Sequence, residues 1–113
     1  YIDGSGDECI GIKKGNYIFK LVNLNNCKDK AFSAGAWSKA TLDKVIIKNS
    51  KFGLVSKRSS ILSAYNVKIS KTHRCLVAYA EEFGGSKIVT NKEQYDCSNN
   101  SSYIDNKSIW EKI

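Results

Sequence analysis

Apolar and polar residues alternate along this chain in short runs rather than in helical stripes. YIFKLVNL (17–24), LDKVIIKN (42–49), YNVKIS (65–70) and GSKIVTN (85–91) are rich in β-branched residues and predict strands. Polar clusters such as Asn25-Asn26, Asn49-Ser50-Lys51 and Ser59-Ser60 separate them and supply turn residues in a chain that has no proline. The runs also recur at a fixed interval. Rows begun at Cys9, Ala31, Gly53, Cys75 and Cys97 start 22 residues apart, and their second column reads Ile10, Phe32, Leu54, Leu76. The fourth column reads Ile12, Ala34, Ser56, Ala78 and the fifth Lys13, Gly35, Lys57, Tyr79, so inward and outward positions follow the strand period of two. Further along, Val45 matches Val67 and Val89, Ile47 matches Ile69, and Leu42 matches Ala64; Val22 and Leu24 join after a one-residue gap.

A period in the low twenties with two or three short strands per row and no helix-length segment predicts a solenoid. An antiparallel sandwich would also show regular turns, but it does not require each row to carry the same residue classes at the same offset. The expected fold is therefore all-β, a short right-handed parallel β-helix of four to five coils. Residues 1–8 form an N-terminal lead-in, 9–97 the coils, and 98–113 a C-terminal cap using Tyr103, Ile104, Ile109 and Trp110, with a helical turn at SIWEKI. Left uncapped, the coil ends would favour end-to-end self-association. Cys75 and Cys97 share a column, where stacked side chains point the same way and hold their β-carbons too far apart for good bridge geometry, so four free thiols are expected.

Composition narrows the function classes. At 113 residues the chain is one domain in length, and no apolar run approaches the roughly 18 residues of a membrane span. A chain that opens on Tyr1 and has no Met reads as a processed product, an excised domain or a fragment, with a cell-surface or secreted setting favoured. Eighteen Lys and Arg against eleven Asp and Glu give a net charge of +7, which favours anionic partners. The lysines are scattered without the basic, aromatic-interleaved cluster of a nucleic-acid module, so nucleic acid is an unlikely partner and an acidic polysaccharide a better one.

Motif chemistry is sparse. The cysteines lack zinc-ribbon spacing, EFGG (82–85) is a turn rather than a nucleotide loop, and no Thr ladder of the ice-binding kind occurs. Asp3, Asp7 and Glu8 are too few for a calcium site, whose oxygen ligands number about six to eight. His73, a row above Lys51, lacks the orienting partner a general base needs. No metal, cofactor or catalytic residue is therefore assigned. Outward aromatics are the better lead, since sugar rings stack on flat aromatic faces while Asp, Asn and Lys take hydroxyls. Tyr65 between Asp43 and Lys87, and Tyr79 above Lys57, form the candidate saccharide-binding set.

DKAFSAGAWSKATLDKVIIKNSKFGLVSKRSS and NVKISKTHRCLVAYAEEFGGSKI resemble the bacterial right-handed parallel β-helix proteins of the pectate-lyase-like superfold, including poorly characterised members attached to spore-coat-kinase-like chains. The resemblance spans residues 3–97 and implies the fold rather than an activity, because β-helices carry lyases, hydrolases, adhesins and spacers. Acidic positions of such relatives are Gly11, Lys13 and Ala36 in this chain. The expected function is thus a non-catalytic module that binds an acidic polysaccharide or acts as a spacer, with a polysaccharide lyase or hydrolase fragment as the alternative.

Overall fold

Three strands and three corners make one turn of chain, and five such turns stack. The protein is described from a computed structural model, which covers residues 1–5, 8–81, 84–98 and 102–113. Coil 1 contributes β1 (Ile2–Ser5), β2 (Ile10–Ile12) and β3 (Gly15–Phe19), and coil 2 contributes β4 (Val22–Cys27), β5 (Lys30–Ala34) and β6 (Ser38–Leu42). Coil 3 holds β7 (Val45–Lys48), β8 (Phe52–Lys57) and β9 (Ile61–Tyr65); coil 4 holds β10 (Val67–Thr72), β11 (Arg74–Tyr79) and β12 (Lys87–Asn91). Coil 5 is built from β13 (Gln94–Cys97), β14 (Ser102–Ile104) and β15 (Ile109–Lys112). Sheet A runs β1-β4-β7-β10-β13, sheet B β2-β5-β8-β11-β14 and sheet C β3-β6-β9-β12-β15, every pairing parallel. The chain is a parallel β-solenoid, and no described residue is helical.

The inward ranks are those the sequence predicts. Phe32, Leu54 and Leu76 pair in register on sheet B, Val22, Val45 and Val67 on sheet A, and Leu42 with Ala64 on sheet C. Leu24 joins Ile47 and Ile69 across the anticipated one-residue gap. These side chains are at most 2% exposed and form one core, each large one contributing about 1.5–3 kcal/mol through burial. Corners turn through left-handed backbone. Gly4, Asn26, Asn49 and Lys71 occupy one corner rank, with φ of 76°, 57°, 54° and 50°. Asparagine suits this place because it tolerates that conformation and its amide bridges coils: Asn26 Nδ2 donates to Asp3 Oδ1 and Asn49 Nδ2 to Asn25 Oδ1, both at 2.9 Å.

Three details depart from the sequence reading. A longer corner between β11 and β12 adds four residues to the 22-residue spacing, so Ile61 faces Lys87 and Tyr65 faces Asn91. Val89 therefore pairs with Ser63 on the outside of sheet C instead of joining Val45 and Val67 on sheet A. EFGG lies in this corner, with Glu82 and Phe83 outside the described residues; Gly85 approaches the Lys107 carbonyl so closely that a Cβ there would collide with it. Second, within the 98–113 segment the described residues 102–113 cover the end of coil 4 as strands rather than as a helical turn. SIWEKI contains β15, and Ile104 and Trp110 pack on the core while Tyr103 and Ile109 point outward.

Third, the cysteines are not free thiols. Cys9 is bonded to Cys27 and Cys75 to Cys97, with α-carbons 5.8 and 5.9 Å apart. The expectation failed because Cys97 does not stack over Cys75. The inserted residues move it to the end of β13, beside Thr72 of β10, where it meets Cys75 diagonally across the corner between sheets A and B. Cys9 and Cys27 meet at the same corner between coils 1 and 2. Each bridge fastens an end coil to its neighbour.

Candidate functional site

Sheet B presents the most varied outer face. Its outward residues are sorted by stacking into ranks, the central one running Gly11, Ser33, Val55, Val77 and Tyr103 through directly paired positions. To one side stand Lys13, Gly35, Lys57 and Tyr79, with Lys57 and Tyr79 paired. To the other, beside the corner with sheet A, stand Lys30, Phe52 and Arg74. Val55 and Val77 are 0% and 7% exposed although they lie outside the core cluster, because the flanking ranks shelter them.

A groove of about 380 Å³ lies over these valines, walled by Phe52, Tyr79 and Tyr103 and rimmed by Lys30 and Arg74. The Arg74 guanidinium sits 5.7 Å from the centre of the Tyr103 ring, a cation–π contact that orders both rim groups. Lys30 Nζ donates to Asp29 Oδ2 at 2.9 Å. Burial pulls the Lys30 pKa down, but this hydrogen bond and the negative charge of Asp29, with smaller help from Tyr79 and Glu8, outweigh it and raise the pKa, so the ammonium persists. Burial raises the Tyr79 phenol, which stays neutral and able to donate. Flat apolar floor, aromatic walls and fixed cations suit a ring that carries polar and anionic substituents.

A second, more polar cavity of about 220 Å³ continues the face toward coil 1, between Glu8 and Gly11 on one side and Lys13, Gly35, Lys57 and Arg58 on the other. Ser33 is 1% exposed on its lining, and its Oγ has no hydrogen-bond partner. A buried hydroxyl left so costs about 1–3 kcal/mol. Arg58 closes the cavity edge by donating through Nε and Nη2 to Glu81 Oε2, at 2.8 and 2.7 Å.

The residues selected from sequence divide between two places. Lys57 and Tyr79 are neighbours on sheet B and bound the two cavities. Asp43, Tyr65 and Lys87 belong elsewhere: Asp43 lies 3.7 Å from Lys20 just after β6, Tyr65 ends β9 beside Asn91, and Lys87 begins β12, 3.7 Å from Glu111. The four-residue insertion separates Lys87 from Tyr65. Lys30, Phe52, Arg74, Tyr103 and Ser33 escaped the sequence reading. The signal for Lys30, Phe52 and Arg74 was present, since they recur at the 22-residue interval. Ser33 gave none, because only packing shows a hydroxyl without a partner.

Among the described residues no three His, Cys, Asp or Glu side chains gather as a metal site, and Asp7 of the N-terminal acidic group lies outside them. His73 Nδ1 lies 3.3 Å from Ser98 Oγ at an exposed corner, away from both cavities. Among the described residues no helix is long and apolar enough to cross a membrane. Fold and outer face together define a parallel β-solenoid with a cationic, aromatic groove along one sheet. Comparison of the chain with protein-family models, curated proteins and solved structures gave no match.

Proposed function

We propose that this solenoid is a non-catalytic module that binds an acidic polysaccharide along the outer face of sheet B. The observation that carries the reading is the groove in which Phe52, Tyr79 and Tyr103 surround an apolar floor with Lys30 and Arg74 at its rim. A pyranose ring has one apolar face and an edge of hydroxyls, so it can lie on Val77 against an aromatic wall while its acidic substituent meets a cation. The net charge of +7 attracts a polyanion from a distance. Two disulfides suit an oxidising environment and support a secreted or cell-surface setting. The resemblance to bacterial pectate-lyase-like β-helices fits this reading, as does a right-handed coil, the hand that connections between parallel strands of one sheet ordinarily take.

A glycan array tests the proposal. Acidic polymers should be retained and neutral ones should not, with binding weakened by added salt as surface charges are screened. Tyr103→Ala and Arg74→Ala should each weaken it about fivefold or more, the scale of a lost aromatic or cation–π contact. Tyr65→Ala, on another sheet, should leave it unchanged. Unsaturated uronates appearing on incubation would replace this reading with that of a lyase.

A further inference from the structure

Lys13, Gly35 and Lys57 are consecutive in one outward rank, and the middle position has no side chain. A Cβ built on Gly35 would stand 3.4 Å from Lys13 Cβ and 3.9 Å from Lys57 Cε, so the two lysines border the gap from the coils below and above. Among the described residues neither lysine has a carboxylate within ion-pair distance, whereas Arg58 beside them is engaged with Glu81. Ser33, two residues before Gly35 on the same strand side, lines the cavity with its Oγ buried and unpartnered. Glu8 lines the cavity beside Gly11 and is the one carboxylate on its lining among the described residues.

From this arrangement we propose that the Lys13–Gly35–Lys57 notch is an oxyanion site for a tetrahedral sulfate or phosphate group. Lys13 and Lys57 flank the gap and Ser33 lines the same cavity, and a tetrahedral monoester presents three outward oxygens to two ammonium groups and a hydroxyl, where a carboxylate presents two. The missing side chain at Gly35 is what admits the group, and the Ser33 hydroxyl gains the acceptor it lacks. Glu8 repels the anion and confines it to the lysine side. The proposal rests on the polysaccharide reading for its carrier: the group would be an ester substituent on a sugar chain whose ring occupies the adjoining groove.

The test follows the backbone amides of Ser33 and Gly35 by NMR while inorganic sulfate, inorganic phosphate and acetate are added separately at one ionic strength. Sulfate or phosphate should shift both amides saturably and acetate should not; Lys57→Gln and Ser33→Ala should each weaken the response at least fivefold, and Gly35→Ala should abolish it. The parallel arm compares dextran sulfate, dextran phosphorylated as monoesters and polygalacturonate, which separates a sulfated from a phosphorylated source. Shifts equal for acetate, or absent with all three ions, overturn the notch even if polymers still bind through Tyr103. Ion shifts at Ser33 and Gly35 without any polymer binding keep the notch and remove the polysaccharide reading. Gly35→Ala is read only if its amide spectrum remains that of the folded protein, and Lys57→Gln, on the surface, decides the matter otherwise.

Discussion

Leu54 and Lys57 stand three positions apart on β8 and have opposite fates. Leu54 is fully buried between Phe32 and Leu76, while Lys57 lies on the outer rank of the same sheet. Leu54→Asp places an unpaired charge in the core and should abolish folding, whereas Leu54→Ala should cost about 2–5 kcal/mol. Lys57→Asp should leave the thermal midpoint almost unchanged. Circular dichroism melts of the three variants check this, and equal damage from both aspartates would show the faces to be misassigned. The outward valines add a refinement to simple alternation: Val55 faces away from the core yet is as buried as Leu54, because Lys30, Phe52, Arg74 and Tyr79 close over it. Alternation decides which way a side chain points, and neighbouring ranks decide whether water reaches it.

At the scale of strands and corners, one carboxylate and one disulfide secure the last coil, and the second disulfide secures the first. Asp105 Oδ2 accepts from the Ala80 amide at 2.8 Å, tying coil 5 to the corner of coil 4, and Oδ1 accepts from the Lys107 amide at 3.1 Å. Desolvation raises its pKa, but these backbone bonds and those from Ser108 together outweigh it and lower the pKa below the ordinary 3.8. Since the folded state binds this proton less readily than the unfolded chain, the stabilisation is fully present above the unfolded value and vanishes as pH falls through the folded one. Asp105→Asn should therefore lower the melting temperature at neutral pH, with the gap from the parent closing as pH falls through the lowered pKa of Asp105. A similar gap across the whole pH range would mean that the charge is irrelevant.

The disulfides span 18 and 22 residues, loops for which a bridge contributes about 3 kcal/mol by restricting the unfolded chain. Alkylation of the denatured, unreduced protein should label no cysteine, and mass measurement reads this directly. On reduction, amide exchange should quicken first in coils 1 and 5, which have a neighbour on one side only, while β5, β8 and β9 remain protected. Uniform loss of protection would indicate that the stack melts as one unit. The inner ranks are sound candidates for that residual stability because coil 3 is paired on both sides in all three sheets.

For the molecule as a whole, periodicity made the architecture legible and a local insertion limited how far it could be read. The second column Ile10, Phe32, Leu54, Leu76 predicted both the coil and the register, since in parallel stacking each residue pairs with its equivalent one turn away. The 22-residue spacing by itself also places Lys57 beside Tyr79. After Tyr79 the four extra residues shift later positions by a corner, and the same arithmetic then misplaced Val89, Lys87 and Cys97. An amino-acid sequence records how many residues lie between two strands, but whether a surplus is absorbed by a corner or carried into the next strand depends on which register buries the apolar face. Tertiary structure alone decided that, and with it the disulfide partners, the groove formed by side chains from four coils, and the unpartnered hydroxyl of Ser33. Pairing of sulfurs, shelter of an outward valine and satisfaction of a hydrogen bond depend on atoms that are distant in the chain and meet only when the coils have stacked.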